Sequence, residues 1–377
     1  KFIRAFKGGN RKCLVLDCDN ILWGGIIGED GVSGIKLAKT YPGSAYREFQ
    51  QEILNLYHRG ILIALCSKNN EDDVWEVFDT HPDMILKKEH IIAARINWQD
   101  KATNLRQIAS DLNIGLDSMV FMDDSEFEVN LIRQVLPEIE VVQLPKEKAV
   151  EYRNILASGS FFETLTISAE DKKRGTIYHD EKKRRQLHAQ ITDIMTYYKT
   201  LEMAVDICPA DEFATPRIAQ LTQKTNQFNL TTRRYSEADI QYYAKDSLTD
   251  VIYIKLRDKY GDSGIVGTCI IKYEEQKAII DSFLLSCRVL GRRIEDIFIL
   301  YILRRARQRG SSIIEGEYIP TTKNKQVESF YINQGFKEII SEKEQNRRVF
   351  RYDLSQEIKA DPDFFKEIHL PIDLENI

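Results

Sequence analysis

The first apolar run along the chain, Cys13-Leu-Val-Leu16, is followed at once by Asp17-Cys-Asp19. Four successive apolar positions ending in acids read as a buried strand that runs into a polar loop. The pattern returns at residues 61–66, ending in Ser67-Lys68-Asn69, and at 119–122, ending in Asp123-Asp124. Between these runs the apolar positions fall at helical spacing. Residues 45–59 are amphipathic and stop at Gly60, 101–112 set Leu105, Ile108, Ala109 and Leu112 on one face, and 126–136 are closed by Pro137. Residues 70–78 read as a further helix, 84–86 as a short strand, 140–144 as another strand, and glycine-rich 23–39 as a flap or small insertion. This alternation predicts a doubly wound, mostly parallel α/β sheet, with ligands at the carboxyl ends of its strands.

The pattern changes after residue 163. Asp171-Lys-Lys-Arg174 and Lys182-Lys-Arg-Arg185 alternate charge along what reads as an exposed connecting helix. Strands then come in succession, at 251–256, 265–272 and 278–285, followed by a long amphipathic helix over 293–308. A strand at 313–317, a helix at 325–333 and last strands from Gly335-Phe336 complete an α+β pattern. The expected division is therefore a first domain over 1–150, a helical linker over 151–200, an α+β domain over 201–355 and a tail over 356–377 that packs back or frays.

Composition narrows the class. With 377 residues the chain has room for two domains, and 43% apolar and 29% charged residues fit a soluble globular protein. A net charge of −5 argues against a general nucleic-acid binder. No apolar run is long enough to cross a bilayer, so no membrane role is expected. The first residues hold no signal-peptide apolar region, and a start at Lys1 reads as a piece of a longer polypeptide. Six scattered cysteines without a CxxC pair read as reduced cytoplasmic thiols.

Asp17 and Asp19 are two residues apart, so an extended backbone turns both carboxylates to one side. Such a pair at the end of a buried strand suits a divalent cation and a phosphate, one acid attacking phosphorus while the other moves a proton. Ser67 offers a hydroxyl to a phosphoryl oxygen, Lys101 a charge that holds the nucleophile, and Asp123-Asp124 further ligands for a cation shared with Asp17. Each has a plainer reading: Ser67 and Asp123-Asp124 as helix caps, Lys101 as part of a solvated face. Four signals at four successive strand or helix ends favour one shared site. Cys66, beside Ser67, reads either as a nucleophile activated by Lys68, a cation or a helix N-terminus, or as a small buried hydrophobe. Cys18 and Cys287 are rival thiols, and alternation turns Cys18 into the core.

The four signals resemble the motifs of the haloacid dehalogenase-like phosphotransferases: Asp17-x-Asp19 the first, Ser67 the second, Lys101 the third, Asp123-Asp124 the fourth. The resemblance implies an aspartyl-phosphate on Asp17, with Asp19 as general acid and base. It also implies Mg²⁺ held by Asp17, the Asp19 backbone carbonyl and Asp123 with Asp124. Ile21 stands where many members carry Thr, so a hydroxyl near the nucleophile is missing. Longer runs narrow the match: Trp23-Gly-Gly-Ile-Ile-Gly-Glu-Asp-Gly31, Cys66-Ser-Lys-Asn-Asn70, Ile96-Asn-Trp98, Thr222-Gln-Lys-Thr-Asn-Gln-Phe-Asn-Leu-Thr-Thr-Arg-Arg234 and Leu285-Ser-Cys-Arg-Val-Leu-Gly291. Together they are similar to the FkbH-type proteins of polyketide biosynthesis, over about residues 12–336.

That similarity implies an enzyme that takes a glyceryl or related 2-hydroxyacyl unit from 1,3-bisphosphoglycerate onto a cysteine. It then removes phosphate and passes the acyl group to the phosphopantetheine arm of an acyl carrier protein. On this reading Cys66 attacks the acyl phosphate, and the remaining phosphate leaves at Asp17. Two alternatives stand: a plain Mg²⁺-dependent small-molecule phosphatase with an inert second domain, and a scaffold that binds a carrier protein without chemistry. Residues 284–309 read strand, Arg-x-x-Gly turn, long helix, which resembles the N-acetyltransferase (GNAT) fold, whose turn binds the pyrophosphate of acetyl-CoA. Arg288, Gly291 and Arg292 are then the cofactor-side residues, and Asn324 and Tyr331 fit the later part of the fold. Arg293 stands where that pattern has Gly or Ala, which argues against acetyl transfer. Arg233, Arg234, Arg288, Arg292 and Arg293 read as a docking face for an acidic carrier protein, or as surface charges or internal ion pairs.

Overall fold

A computed structural model describes residues 11–162, 174–342 and 347–371. The chain divides into two compact units, Lys1–His179 and Asp180–Ile377.

In the first unit the three apolar runs pair as predicted. Strands β1 (Cys13–Leu16), β2 (Leu62–Ser67), β3 (Ile91–Ile96), β4 (Met119–Asp123) and β5 (Glu140–Gln143) form one parallel sheet in the order β3-β2-β1-β4-β5. Strand alternation sorts side chains onto two buried faces. Leu14, Leu16, Ile63 and Leu65 face helices α1 (Ile27–Gly34), α2 (Gly43–His58) and α3 (Glu71–Thr80). Cys13, Val15, Ala64 and Cys66 face α4 (Lys101–Asp111) and α5 (Glu126–Val135). The reversal of strand order at β1 puts the end of β1 at the switch point, where such sheets bind ligands.

Two expectations are corrected here. Residues 84–86 form no strand, because the Gln50 side-chain oxygen accepts from the backbone N–H groups of Ile85 (2.9 Å) and Leu86 (3.2 Å). The edge strand is β3 instead. The first unit also continues past residue 150: α6 (Ala149–Ser158) buries Tyr152 and Leu156 in the same core as α2.

Helix α7 (Arg174–Gln190) runs across the expected linker, whose residues 163–173, with most of the charged run that starts at Asp171, lie outside the described residues. It is not a freely solvated connector. Arg184 is buried and forms paired bonds from its Nε and Nη2 to Asp258, at 2.7 and 2.8 Å.

The second unit is built on a nine-stranded sheet. After α8 (Ile194–Thr200) and β6 (Met203–Pro209) come α9 (Thr215–Lys224), the two-residue β7 (Phe228–Asn229) and α10 (Glu237–Lys245). Strands β8 (Thr249–Asp258), β9 (Gly261–Glu274) and β10 (Lys277–Leu285) follow as an antiparallel run. Helix α11 (Ile294–Gln308) leads to β11 (Ile313–Tyr318). The expected helix at 325–333 is a single turn, Lys325–Val327, then the short α12 (Phe330–Asn333). Strands β12 (Lys337–Glu342), β13 (Arg347–Asp353) and β14 (Phe365–His369) complete the sheet. The tail thus packs back: β14 lies parallel to β6 as the last strand on that side.

Strands β10 and β11 pair in parallel only from Lys277–Ile280 against Ile313–Gly316. A bulge at Asp281 then turns β10, and the strands part. The chain's own segment 228–230 occupies the gap. Phe228 and Asn229 pair with Leu285 and Leu284, the Leu230 N–H donates to the Phe283 carbonyl at 3.2 Å, and the Ile319 N–H donates to the Leu230 carbonyl at 2.8 Å. Asn324 fastens this plug from below, its Nδ2 donating to the Asn229 and Ile319 carbonyls.

Candidate functional site

Asp17 leaves the end of β1, and its carboxylate accepts from the Cys18 N–H at 2.8 Å. Lys101, the first residue of α4, is buried, and its Nζ lies 2.9 Å from the Asp17 carboxylate and 2.5 Å from that of Asp123. Asp100 caps this helix by accepting from the Thr103 N–H, which fixes where Lys101 enters the site. Burial works against the Lys101 ammonium, but Asp17 and Asp123 hold its pKa well above the ordinary value. Asp123 ends β4 fully buried; burial, then the Asp17 charge, push its carboxyl up to about 6. The same two causes raise Asp124.

Ligand oxygens of Asp17, Asp123 and Asp124 all lie within 4.8 Å of one another. Three convergent carboxylates, two of them raised by burial and by the Asp17 charge, are a donor set for a hard divalent cation. The Asp19 side chain stands apart from this set. Its Oδ1 accepts from Trp23 Nε1 (2.9 Å) and the Ile27 N–H (3.0 Å), and its Oδ2 from Asn69 Nδ2 (2.8 Å). Any metal contact from residue 19 therefore falls to its backbone carbonyl. Burial pushes the Asp19 carboxyl up, against these three donors, which suits an acid that must hold a proton. Ser67 is buried at the end of β2 and touches Asn69, 3.4 Å away.

Asn69 and Trp23 were present in the sequence runs without an assigned role. Trp23 is local, four residues past Asp19 in the same loop, whereas Asn69 comes within reach of Asp19 only after β1 and β2 pair. Behind the loop, the Tyr152 hydroxyl donates to the Asn20 carbonyl at 3.2 Å and Gln50 Nε2 to the Leu22 carbonyl at 2.7 Å. Ile21 is fully buried in the core beneath.

Cys66 is placed otherwise than the nucleophile reading requires. It is 0% exposed, faces the core shared with Val15, Ala102 and Phe121, and its thiol points at the Lys101 carbonyl oxygen, 3.9 Å away. Burial pushes the thiol well above its ordinary pKa. Lys68 cannot activate it, since its ammonium pairs with Glu128 at 2.6 Å. The period-two alternation that turns Ser67 toward Asn69 turns Cys66 to the opposite face. Cys18 is likewise buried in the opposite core, as alternation predicts, and Cys287 belongs to the second unit.

The arginines of the second unit are mostly committed internally. Arg292 is 3% exposed and its guanidinium reaches Glu181 at 2.6 Å and Asp258 at 3.3 Å. Arg293 adopts a left-handed backbone (φ 57) and donates to Asp296 at 2.7 Å. Arg233 pairs with Asp281 and Glu317, and Arg234 donates to the Thr222 and Thr225 carbonyls. Arg288 contacts Ser286 at 3.2 Å. Of the readings left open for these arginines, internal pairing describes Arg233, Arg234 and Arg292: acids and carbonyls elsewhere in the chain take up their charge. The same geometry tests the acetyl-CoA pyrophosphate that the sequence resemblance implies. A pyrophosphate at the start of α11 would meet Glu295 and Asp296 in the first turn, with Arg292 and Arg293 already spent. The residues present do not fit it.

No known family profile and no curated protein matches the chain. Among solved structures, it is similar to the N-terminal, phosphatase-domain-containing part of a Bacteroides fragilis protein, complexed with Mg. That match has 44% identity over 44% of this chain and 44% of that one, with a TM-score of 0.42. It is also similar to a putative GNAT-family acetyltransferase from Desulfovibrio desulfuricans, at 11% identity over 40% of this chain and 99% of that one, TM-score 0.33. A GNAT-family acetyltransferase from Staphylococcus aureus aligns at 14% identity over 40% of this chain and 99% of that one, TM-score 0.32. Fold and site together define a parallel five-stranded α/β unit with a lysine and three carboxylates gathered at the ends of its strands, followed in the same chain by an α+β unit built on a mixed sheet. No helix among the described residues is long and apolar enough to cross a membrane.

Proposed function

We propose that the first unit is a Mg²⁺-dependent phosphohydrolase acting on a small phosphorylated metabolite through an aspartyl-phosphate on Asp17. The observation that carries this reading is the Lys101 ammonium set between Asp17 and Asp123 beside a three-carboxylate cluster. Asp17 attacks phosphorus while the Asp19 carboxyl gives its proton to the departing oxygen. Asp19 then takes a proton from the water that opens the phosphoaspartate. Trp23, Ile27 and Asn69 hold the Asp19 carboxyl in place for both transfers, and Ser67 and Lys101 steady the phosphoryl oxygens. Asp17, Asp123, Asp124 and the Asp19 carbonyl are the residues that would hold Mg²⁺, which when bound offsets the negative charge gathered there. The test is incubation with acetyl phosphate and Mg²⁺ followed by peptide mass spectrometry: phosphate on Asp17, absent from the Asp17→Asn variant, supports the reading, and phosphate elsewhere or none defeats it.

A second reading keeps the acyl phosphate substrate, 1,3-bisphosphoglycerate, and the acyl carrier protein. With Cys66 closed off, the thiol that receives the glyceryl group is the carrier's phosphopantetheine sulfur. The sulfur attacks the acyl carbon, a C–S bond forms, the acyl C–O bond breaks, and phosphate leaves with the thiol proton; the 3-phosphoglyceryl thioester so formed then loses its C3 phosphate to water through Asp17. What favours it is that two large apolar side chains stand exposed on segments that follow the strand ends of the site: Trp98, joined to Asn70 by its Nε1, is 71% exposed, and Phe127, one residue into α5, is 70% exposed. Intact mass spectrometry of a carrier protein after incubation with enzyme, 1,3-bisphosphoglycerate and Mg²⁺ tests it. An acylated carrier with wild type and with Cys66→Ala supports this reading, and an unmodified carrier rejects it.

A further inference from the structure

Tyr46, on α2, is 7% exposed, and its ring packs edge-on against Tyr152 with the centroids 6.1 Å apart. Its hydroxyl makes no hydrogen bond among the described residues, yet the oxygen is not sealed from solvent. The groups around it are already spent. The phenol end lies against Gly24, where an added Cβ would come within 2.9 Å of the hydroxyl oxygen. The Gly24 N–H and carbonyl are both taken by Lys36, at 3.2 and 2.7 Å. Tyr152 gives its own hydroxyl to the Asn20 carbonyl. Buried polar side chains nearly always find a partner, so the partner of Tyr46 comes from outside the chain.

Two observations put that partner in the candidate site. Gly24 belongs to the loop that starts at Asp19, whose carboxylate holds Trp23. Burial, then the charge of Asp124, push the Tyr46 hydroxyl above its ordinary pKa, so it stays a donor beside one of the three convergent acids. Tyr46 reaches the site from α2, on one face of the sheet, whereas Lys101 enters from α4, on the other. On the phosphohydrolase reading, on which this inference rests, Ser67, Lys101 and Mg²⁺ take the phosphoryl oxygens and Asp19 takes the ester oxygen. The body of the leaving alcohol is what remains for a donor on the α2 side. We infer that the Tyr46 hydroxyl donates to an oxygen on that body, which makes the substrate a polyol or sugar phosphate rather than a plain alkyl phosphate. Gly24, having no side chain, leaves the phenol room to reach it.

The test compares kcat/KM of the full chain with Mg²⁺ for glycerol 3-phosphate and propyl phosphate, two esters with the same carbon chain. Wild type is expected to favour glycerol 3-phosphate. Tyr46→Phe, which keeps the ring against Tyr152, is expected to lower that preference about 3- to 10-fold, the range for one neutral hydrogen bond. Gly24→Ala, which sets a methyl against the hydroxyl, is expected to lower it likewise and reads the same contact if Tyr46→Phe does not fold. Equal use of the two esters by wild type, or a preference unchanged in the folded variants, overturns the inference and leaves the phosphohydrolase reading standing. Hydrolysis of neither ester also overturns it, and acetyl phosphate labelling then separates the two: phosphate on Asp17 keeps the phosphohydrolase reading, and its absence removes both.

Discussion

The ammonium of Lys101 lies 2.9 Å from the carboxylate of Asp17, and it reaches that position from the first turn of a helix whose own cap, Asp100, is exposed. One buried cation thereby holds Asp17 and Asp123 together. Lys101→Met is expected to lower turnover by about 10²- to 10³-fold, the usual cost of removing one preorganised charge from a phosphoryl site. It also strands buried carboxylates, at about 3–5 kcal/mol. Saturating Mg²⁺ should restore part of the lost melting temperature, because a ligand of the folded state stabilises it. Differential scanning with and without Mg²⁺ measures this, and a metal-independent loss would show that the acids do not bind the ion.

Asp19→Asn removes a proton donor while leaving a group of the same shape for Trp23, Ile27 and Asn69. Hydrolysis of an alkyl phosphate should fall by about 10²- to 10⁴-fold. A substrate with a good leaving group, such as p-nitrophenyl phosphate, needs less proton donation and should suffer less in the first step. Equal losses on both substrates in a single-turnover assay would remove Asp19 from that role.

Cys66→Ala deletes one heavy atom from a closed core. Phosphatase turnover should stay within about threefold of wild type, and stability should fall by about 1–2 kcal/mol. Denaturant unfolding beside a turnover assay checks both. A loss above about a hundredfold with unchanged stability would return this thiol to the chemistry.

Glu295 gives a pH signature. Burial pushes its carboxyl up to about 7 from an ordinary value of 4.5. A carboxyl raised on folding contributes stability that is present below about pH 4.5 and is lost as pH rises through about 7. Glu295→Gln should therefore match wild type near pH 4.5 and exceed it at pH 8, by an amount on the order of 1–3 kcal/mol. Parallel melting curves at the two pH values measure the difference, and equal curves at pH 8 would mean the carboxylate is satisfied in solution.

What the sequence disclosed follows the range of the interactions involved. The buried strands ending at Asp17, Ser67 and Asp123 were legible because each is a continuous apolar run closed by a polar residue, and the site residues follow from those endings. Strand β3 was hidden because Ala93, Ala94 and Arg95 leave it only partly covered, whereas the apolar residues 84–86 looked like a strand while Gln50 supplied their backbone partner. Cys66 was misplaced by weighing its neighbour Ser67 above the alternation that separates their side chains. Arg233 and Arg292 looked free because Asp281, Glu317, Asp258 and Glu181 meet them only after the second sheet has formed.

Strand β14 carries one more implication, for how the protein should be shortened. It is made by nearly the last described residues, yet it supplies the backbone partners along one side of β6. A version stopped after Leu354 would leave that row of N–H and C=O groups bare on a strand whose Met203 and Val205 are fully buried, a template on which other copies can stack. Such a truncation should self-associate on a sizing column at concentrations where the full chain elutes unchanged. Restoring residues 355–371 should reverse it, which makes β14 a guard against aggregation.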